Sequence, residues 1–198
     1  LSKTPTKERR IAIVLANYPN RDGRIGNGVG LDTPASVSHV SNILAGEGYD
    51  IADPNLDGSQ VIAKLLAGPT NAGVLGRKIE AVLPLEDYIR AFERLPAVTQ
   101  RKIRERWGNP VNDPFFLSQK KSFAVPVFHC GKIVIGLQPA RGYNIDPKAS
   151  YHDPDLPPPH GYLAFYFWLQ EHFGAHAVIH FGKHGNLEWL PGKAIALS

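Results

Sequence analysis

A run of six apolar residues, Ile11-Ala-Ile-Val-Leu-Ala16, constrains the fold of this chain more than any other feature. The run lies between Arg10 and Asn17, and none of its side chains is polar. Strands that are buried on both faces have this composition, and they are typical of parallel sheets covered by helices. The run therefore predicts a buried strand in an α/β fold.

Helical patterns alternate with further strand patterns along the chain. Asp32 or Thr33 is expected to cap a helix that has Pro34 in its first turn. Cys130 and Gly131 suit the tight turn of a hairpin. Further helices are predicted over residues 59–67, 84–95, 98–107 and 161–173, and strands over residues 49–52, 123–128, 132–137 and 177–181. The expected fold is α/β, with a mostly parallel sheet flanked by helices, a helical insertion and a β-hairpin.

The same patterns divide the 198 residues into three parts of one domain. Residues 1–58 are expected to form a β-loop-α-β unit, and residues 59–122 a helical insertion. Residues 123–198 are expected to contain the hairpin, an aromatic helix and a strand that leads into a final loop. A proline-dense connector, residues 153–159, precedes the aromatic helix, and stiff chain of this kind positions neighbouring elements.

Composition excludes several classes of protein. The net charge of +4 is modest and its basic residues are dispersed, which disfavours a nucleic-acid-binding face. The single cysteine excludes an intrachain disulfide framework. We find no signal-peptide pattern and no apolar run long enough to span a bilayer, so we expect a cytoplasmic protein without membrane or nucleic-acid partners.

The final loop, residues 180–193, concentrates chemically active side chains after the last predicted strand. His180, His184 and Glu188 can converge there, since ligand sites in α/β proteins form where parallel strands end. Two imidazoles and a carboxylate suit a divalent metal, and the carboxylate can also accept protons. Alternatively, Glu188 caps a short helical turn and the histidines bond to the backbone. The pattern is not HExxH, which disfavours a zinc protease.

Three other features have weaker functional signals. His172 and His176 continue a four-residue spacing back from His180, but glycines and a β-branched pair prevent one continuous helix, so we expect a helix end and a connecting loop. The glycine-rich residues 17–32 precede a helix N-terminus that suits an anion, yet they match no nucleotide-binding motif. The aromatic helix is expected to pack in the core rather than against a flat ligand.

Three long segments resemble one known family. They are residues 16–36, which include Asn20-Arg-Asp-Gly-Arg24, residues 153–163, and residues 180–193. In this order they are similar to the family that comprises the large subunits of aerobic cobaltochelatase, CobN, and of magnesium chelatase. The first segment looks like the cobalt branch. Because members of that family are usually far longer, the chain resembles an internal piece of such a subunit.

The resemblance implies a ligase that forms nitrogen–metal bonds by inserting Co²⁺ into hydrogenobyrinic acid a,c-diamide. ATP would be hydrolysed with Mg²⁺ on separate AAA+ subunits, so the implied partners are those subunits, the rest of the large subunit and the corrinoid substrate. His180 and His184 would hold cobalt loosely, with Glu188 as a proton acceptor or third ligand. Candidate contacts for the carboxylates of the tetrapyrrole are Arg21, Arg24 and Arg141.

Departures from the family leave alternatives open. The family commonly has threonine where Lys183 and Asn186 stand, so a detail that depends on a hydroxyl differs here. The chain alone is expected to be inactive. The alternative interpretations are a non-catalytic scaffold or docking domain of the chelatase, and a part of a magnesium chelatase-type large subunit. A free-standing metal-dependent hydrolase is disfavoured because no HExxH or nucleophile-elbow motif occurs.

Overall fold

A computed structural model of the chain describes residues 3–17, 22–28, 30–142, 155–182 and 190–191. The strands of this part of the chain are β1 (Ile11–Leu15), β2 (Asn27–Gly28), β3 (Leu31–Asp32), β4 (Ala81–Pro84), β5 (Phe116–Leu117), β6 (Ser122–Val125), β7 (Val127–Cys130), β8 (Ile133–Leu137) and β9 (Ala177–Phe181). The α-helices are α1 (Thr33–Gly46), α2 (Gly58–Ala67), α3 (Leu85–Glu93), α4 (Ala97–Trp107) and α5 (His160–Phe167).

A four-stranded sheet forms the centre of the molecule, in the order β7-β8-β1-β9. Strands β8 and β9 both run parallel to β1, whereas β7 pairs antiparallel with β8. The register places Val14 of β1 between Gly136 of β8 and His180 of β9. The predicted α/β class with a mostly parallel sheet is therefore confirmed.

Helices cover both faces of this sheet, which explains the apolar run in β1. Ile11, Ile13 and Leu15 pack in one apolar cluster with Val37 of α1 and Val61 of α2. The alternate residues of β1 belong to a second cluster that includes α5 residues. Because side chains alternate between the faces of a strand, a strand covered on both sides carries no polar residue.

The middle of the chain contains a second, antiparallel sheet in the order β4-β6-β5. Helices α3 and α4 pack with it, and Tyr88, Ile103 and Phe123 are completely buried in the shared core. Helices were predicted here, but the strands β4 and β5 were not. The predicted strand over residues 123–128 is divided at Pro126, where the chain passes from this sheet into the central one.

Local signals account for the helix ends. The Asp32 side chain accepts a hydrogen bond from the backbone N–H of Ala35, and this cap begins α1. Asp57 and Gln60 form a reciprocal capping box at the start of α2. A π-helical turn, Trp168–His172, extends α5, and the helix stops at Gly174, whose φ of 63° suits glycine. The aromatic helix packs in the core, as predicted.

The strand predicted over residues 49–52 is wrong. The backbone of these residues is irregular, and the Asp50 carbonyl accepts a hydrogen bond from the N–H of Lys132. Both sides of β1 are already occupied, by β8 and β9, so these residues cannot pair with the strand that precedes them. Gly131, which has a φ of 70°, forms the β7–β8 turn as predicted, and a Cβ there would lie 2.7 Å from the Asp50 carbonyl oxygen. None of the helices among the described residues has the length and apolarity needed to cross a bilayer.

Candidate functional site

The three parallel strands end together at one edge of the central sheet. Asn17 follows β1 by two residues, Gln138 directly follows β8, and Gly182 directly follows β9. Ligands of open α/β sheets bind outside this carboxyl edge. His184 and Glu188 follow β9 in the sequence, a few residues after this edge.

His180 lies on β9 with an exposed side chain, and its imidazole stacks on Tyr166 of α5. The two ring centroids are 6.2 Å apart and the ring planes differ by 25°. The Tyr166 hydroxyl accepts a 3.0 Å hydrogen bond from Nε2 of Gln138. The structure therefore brings together one side chain from each of β9, α5 and the end of β8, and leaves the imidazole accessible to solvent.

The Asn71 side chain forms two hydrogen bonds with the turn that follows β8. Its Nδ2 donates a 3.1 Å bond to the carbonyl of Gln138, and its Oδ1 accepts a 2.9 Å bond from the N–H of Ala140. Gln138 itself is only 1% exposed. Asn71 therefore fixes the backbone of Gln138, the residue whose side chain bonds to Tyr166.

Asn17 is a buried polar group at the floor of the same edge. It is 1% exposed, and among the described residues neither its Nδ2 nor its Oδ1 has a hydrogen-bond partner. Burying an amide without partners costs about 1–3 kcal/mol. The end of the central strand is therefore polar, in contrast to the apolar strand that precedes it.

Arg141 is also buried, at 1% exposure, and its guanidinium donates a 3.2 Å hydrogen bond to the carbonyl of Leu156. Leu156 belongs to the proline-dense connector. The described contact therefore joins the end of the β8 turn to the connector, and leaves almost no surface of the guanidinium for a ligand.

The glycine-rich segment lies beside the N-terminus of α1. Together they line a cavity of about 590 Å³ that includes Gly26, Asp32 and Pro34. The Asp32 carboxylate already caps the helix, so the anion expected there would meet a negative charge. Asp22 pairs at 2.5 Å with Arg77, a residue far away in sequence. Arg21 and the side chain of Arg24 lie outside the described structure.

His184 and Glu188 also lie outside the described residues. Within the described part of the chain, no group of three or more His, Cys, Asp and Glu side chains could hold a metal ion. A metal site built on His180 therefore requires ligands from outside the described residues, and the convergence of His180, His184 and Glu188 stays a prediction.

The other two histidines of the four-residue spacing have structural contacts. His172 pairs with Asp87 at 2.8 Å between Nε2 and Oδ2. His176 precedes β9, where its Nδ1 accepts a 2.9 Å bond from the N–H of Arg10. Since a strand rises about 3.3 Å per residue, His176 lies at the opposite end of β9 from the carboxyl edge. The expected helix end and connecting loop are confirmed.

A buried polar cluster next to α5 was not predicted from the sequence. The His160 ring accepts a bond from the Tyr88 hydroxyl at Nδ1, 2.5 Å away, and donates from Nε2 to the Gly108 carbonyl, 3.1 Å away. Burial lowers the pKa of His160. Asp113 accepts a 2.7 Å bond from the N–H of Gly161, and burial raises the pKa of its carboxyl to about 6. These bonds fix the start of α5.

Tyr166 and Gln138 were also not identified from the sequence. They are 28 residues apart and Tyr166 lies 14 residues before His180, so no motif spacing relates the three. The nearest sequence signal is that Gln138 and Asn17 are the first polar residues after apolar strands.

Comparisons with known proteins agree over the whole chain. A family model, CobN/Magnesium Chelatase, matches residues 1–198. The aerobic cobaltochelatase subunit CobN of a Sinorhizobium species is 58% identical over 96% of the chain, and that of Pseudomonas aeruginosa is 49% identical over 100%. A magnesium-chelatase subunit of Rhodobacter capsulatus is 28% identical over 98%. The chain spans about 15–16% of the length of these relatives.

A solved structure has the same fold. The catalytic subunit of cobaltochelatase from Mycobacterium tuberculosis superposes with a TM-score of 0.80 and 37% sequence identity. The match covers 96% of this chain and 16% of that structure.

Proposed function

The chain belongs to the CobN/magnesium chelatase family, and we propose that it provides the metal-binding edge of a cobaltochelatase. The proposed reaction inserts Co²⁺ into hydrogenobyrinic acid a,c-diamide and forms nitrogen–metal bonds. The identity to two cobaltochelatase subunits, 58% and 49%, exceeds the 28% identity to a magnesium-chelatase subunit, which supports cobalt as the metal. The observation that carries the proposal is the exposed His180 imidazole, oriented at the carboxyl edge of the sheet.

Metal insertion makes two physical demands on a protein. The incoming ion has to exchange water for other ligands, and the macrocycle has to lose two pyrrolic protons. Imidazole nitrogens are good ligands for a borderline ion such as Co²⁺, and a carboxylate can accept a proton. We propose that His180 and His184 replace water on the ion while Glu188 accepts a proton or completes the ligand set.

The metal has to be held loosely, because a closed cage of four protein ligands would retain it. An exposed imidazole at the carboxyl edge of the sheet suits such an open site. Stacking on Tyr166, whose hydroxyl is bonded to Gln138, restricts the ring orientation while the His180 side chain stays exposed. Oriented ligands lower the ordering cost of binding, so these neighbours support a weak but defined site.

The substrate carries peripheral carboxylates, and arginine binds carboxylates through two parallel hydrogen bonds. We propose Arg21 and Arg24 for this role, since both belong to the glycine-rich segment that follows β1. For Arg141, which is 1% exposed and bonded to Leu156, we propose instead that it holds the connector beside the site.

The remaining parts of the reaction belong to other polypeptide segments and subunits. We propose that AAA+ subunits hydrolyse ATP with Mg²⁺ and drive insertion, and that the rest of the large subunit completes the tetrapyrrole pocket in the cytoplasm. The chain corresponds to only 15–16% of its relatives, which supports the expectation that it is inactive alone.

Rates of Co²⁺ insertion test this proposal in the full-length subunit with its ATPase partners. Replacement of His184 or Glu188 by alanine should lower the rate by about 100-fold or more, in the range found when a positioned catalytic group is removed. Glu188→Gln separates the two carboxylate roles. If Glu188 accepts a proton, the variant binds Co²⁺ with wild-type affinity but inserts it slowly.

His39, an exposed residue of α1, provides a matched control, because His39→Ala also removes a surface imidazole. That variant should insert Co²⁺ at the wild-type rate. Wild-type insertion by the His184 and Glu188 variants, with normal assembly, would contradict the proposal and favour a scaffold role for this part of the subunit.

A further inference from the structure

Strand β9 is an edge of the central sheet. It pairs with β1 on one side, and among the described residues no strand lies on its other side. Its sequence, Ala-Val-Ile-His-Phe, contains no proline, lysine or glycine. Natural proteins avoid leaving such an edge exposed, because its backbone groups can pair with another strand.

Hydrogen bonds of the neighbouring strand show which backbone groups of β9 face this edge. The N–H of Ile11 donates to Lys132 on the β8 side, and the Leu15 carbonyl accepts from Gln138, so the odd residues of β1 bond towards β8. The even residues therefore bond towards β9, as the 2.8 Å bond from the N–H of Ala16 to the carbonyl of Phe181 shows. Ile179 shares the orientation of Phe181, and the N–H and carbonyl of Val178 consequently point to the open edge.

The opposite edge of the same sheet is protected. On β7 the outward N–H of His129 donates to a carboxylate oxygen of Glu80, 3.2 Å away. Burial alone would raise the pKa of Glu80, but this hydrogen bond and one from Lys78 outweigh burial and lower it. The Glu80 carboxylate thus occupies an outward N–H of this edge, and β9 contains no acidic residue.

One face of β9, on the side of the sheet that α5 covers, is incompletely covered as well. One row of register partners runs across the sheet through Val134, Ala12 and Val178. Val134 and Ala12 are 0% exposed beneath the core that contains α5, whereas Val178 is 42% exposed. Among the described residues, α5 therefore reaches β9 at His180 but leaves Val178 open, although β9 has the apolar composition of a covered strand.

We propose that the β9 edge pairs with a parallel strand from the same large-subunit polypeptide outside residues 1–198, and that a helix of that segment covers Val178. The strand would be parallel because β8, β1 and β9 already run in one direction, and parallel neighbours are joined by crossover helices on a face of the sheet. The relatives are about six times longer than this chain, so ample polypeptide is available. This pairing holds whether or not His180 binds cobalt.

Amide hydrogen exchange in the full-length subunit, resolved to single residues, tests the pairing. The Ile179 amide bonds to β1 and is protected in either case, so it serves as the internal reference. The Val178 amide is expected to exchange at least about 100-fold more slowly than an unstructured amide, within about tenfold of Ile179. Exchange of Val178 at the rate of an unstructured amide would overturn the proposal.

Proline substitution gives an independent test in the same full-length protein. Ile179→Pro removes a hydrogen bond to β1 and should lower Tm in any case. Val178→Pro removes only the outward N–H, which an edge strand tolerates and a central strand does not. We expect both variants to lower Tm by similar amounts, with Val178→Ala, which keeps the N–H, as the control. A Val178→Pro variant with the Tm of Val178→Ala would overturn the proposal.

Pairing between two copies of the subunit is the competing explanation, and it has a separate signature. Protection of the Val178 amide would then decrease on dilution, in step with dissociation of a dimer seen by sedimentation. Protection that is independent of concentration supports the strand within the same polypeptide, whereas protection lost on dilution contradicts it.

Discussion

Replacement of Gly136 by alanine is expected to destabilise the chain. Gly136 lies in β8, and an added Cβ would lie 2.8 Å from Cγ1 of Val127, 3.1 Å from the Pro126 carbonyl oxygen and 3.2 Å from Cε2 of Phe165. Carbon atoms prefer separations of about 3.5–4.0 Å. Val127 would have to move by about 0.7 Å and Phe165 by about 0.3 Å, in a core where both are at most 4% exposed.

The magnitude follows from two opposing effects. Overpacking of a dense core costs about 1–3 kcal/mol. Alanine also reduces the conformational freedom of the unfolded chain, which stabilises by about 0.4–1 kcal/mol. The net loss in the free energy of unfolding should be about 1–2 kcal/mol, or a decrease of roughly 2–8 °C in Tm for a chain of this length.

Urea denaturation of the 198-residue chain, followed by circular dichroism, measures this loss. Gly46→Ala is the matched control, because Gly46 ends α1 and a Cβ there has no neighbour within 4 Å. Alanine at that position should stabilise the helix by up to about 1 kcal/mol. Val127→Ala removes the closest clashing atom, so its effect combined with Gly136→Ala should be less than additive.

Equal stability of Gly136→Ala and Gly46→Ala would refute the packing of α5 on β8. The consequence extends to the site, because α5 also carries Tyr166. If Phe165 is displaced, Tyr166 moves relative to His180, and Co²⁺ insertion by the full-length enzyme should decrease.

Four further outcomes are expected, each measured by urea denaturation. Tyr88→Phe removes the bond to His160 and should cost about 1 kcal/mol, and Tyr166→Phe should cost about the same by removing the bond to Gln138. Burial lowers the pKa of His160 below 6.5, so on acidification the unfolded chain protonates this imidazole before the folded chain does. Stability should therefore fall as the pH drops below about 6.5, and it should fall less in His160→Gln. Burial raises the pKa of Asp113 from 3.8 to about 6, so the folded chain binds this proton more tightly than the unfolded chain. Stability should therefore be lost as the pH rises from about 4 to 6, and Asp113→Asn should remove this loss. Identical pH profiles in the wild type and the two charge variants would contradict the assigned environments.

Local and strongly patterned features of this fold are predictable from the sequence. An uninterrupted apolar run predicts β1 because a strand under two layers of helices has no polar face. Asp32 predicts the start of α1 because its carboxylate satisfies a backbone N–H three residues later. Gly174 ends the aromatic helix because its φ is positive.

Non-local features were missed for physical reasons. Strand β4 has only four residues, ends in proline, and is defined by pairing with β6, about forty residues later. Pro126 separates two strands because it lacks an N–H, whereas the composition on both sides is continuous. The contacts of His180 with Tyr166, and of Tyr166 with Gln138, arise only when β8, α5 and β9 assemble. The predicted convergence of His184 and Glu188 lies outside the described residues and stays a prediction.

The rate of Co²⁺ insertion by His180→Ala in the assembled enzyme tests the central claim most directly. The His180 side chain is exposed at the carboxyl edge of the sheet, so its removal should leave folding and assembly unchanged. Loss of a metal-positioning imidazole should lower the insertion rate by about 100-fold or more, while His39→Ala inserts at the wild-type rate. A His180→Ala enzyme that assembles normally and inserts Co²⁺ as fast as the His39→Ala control would contradict the account.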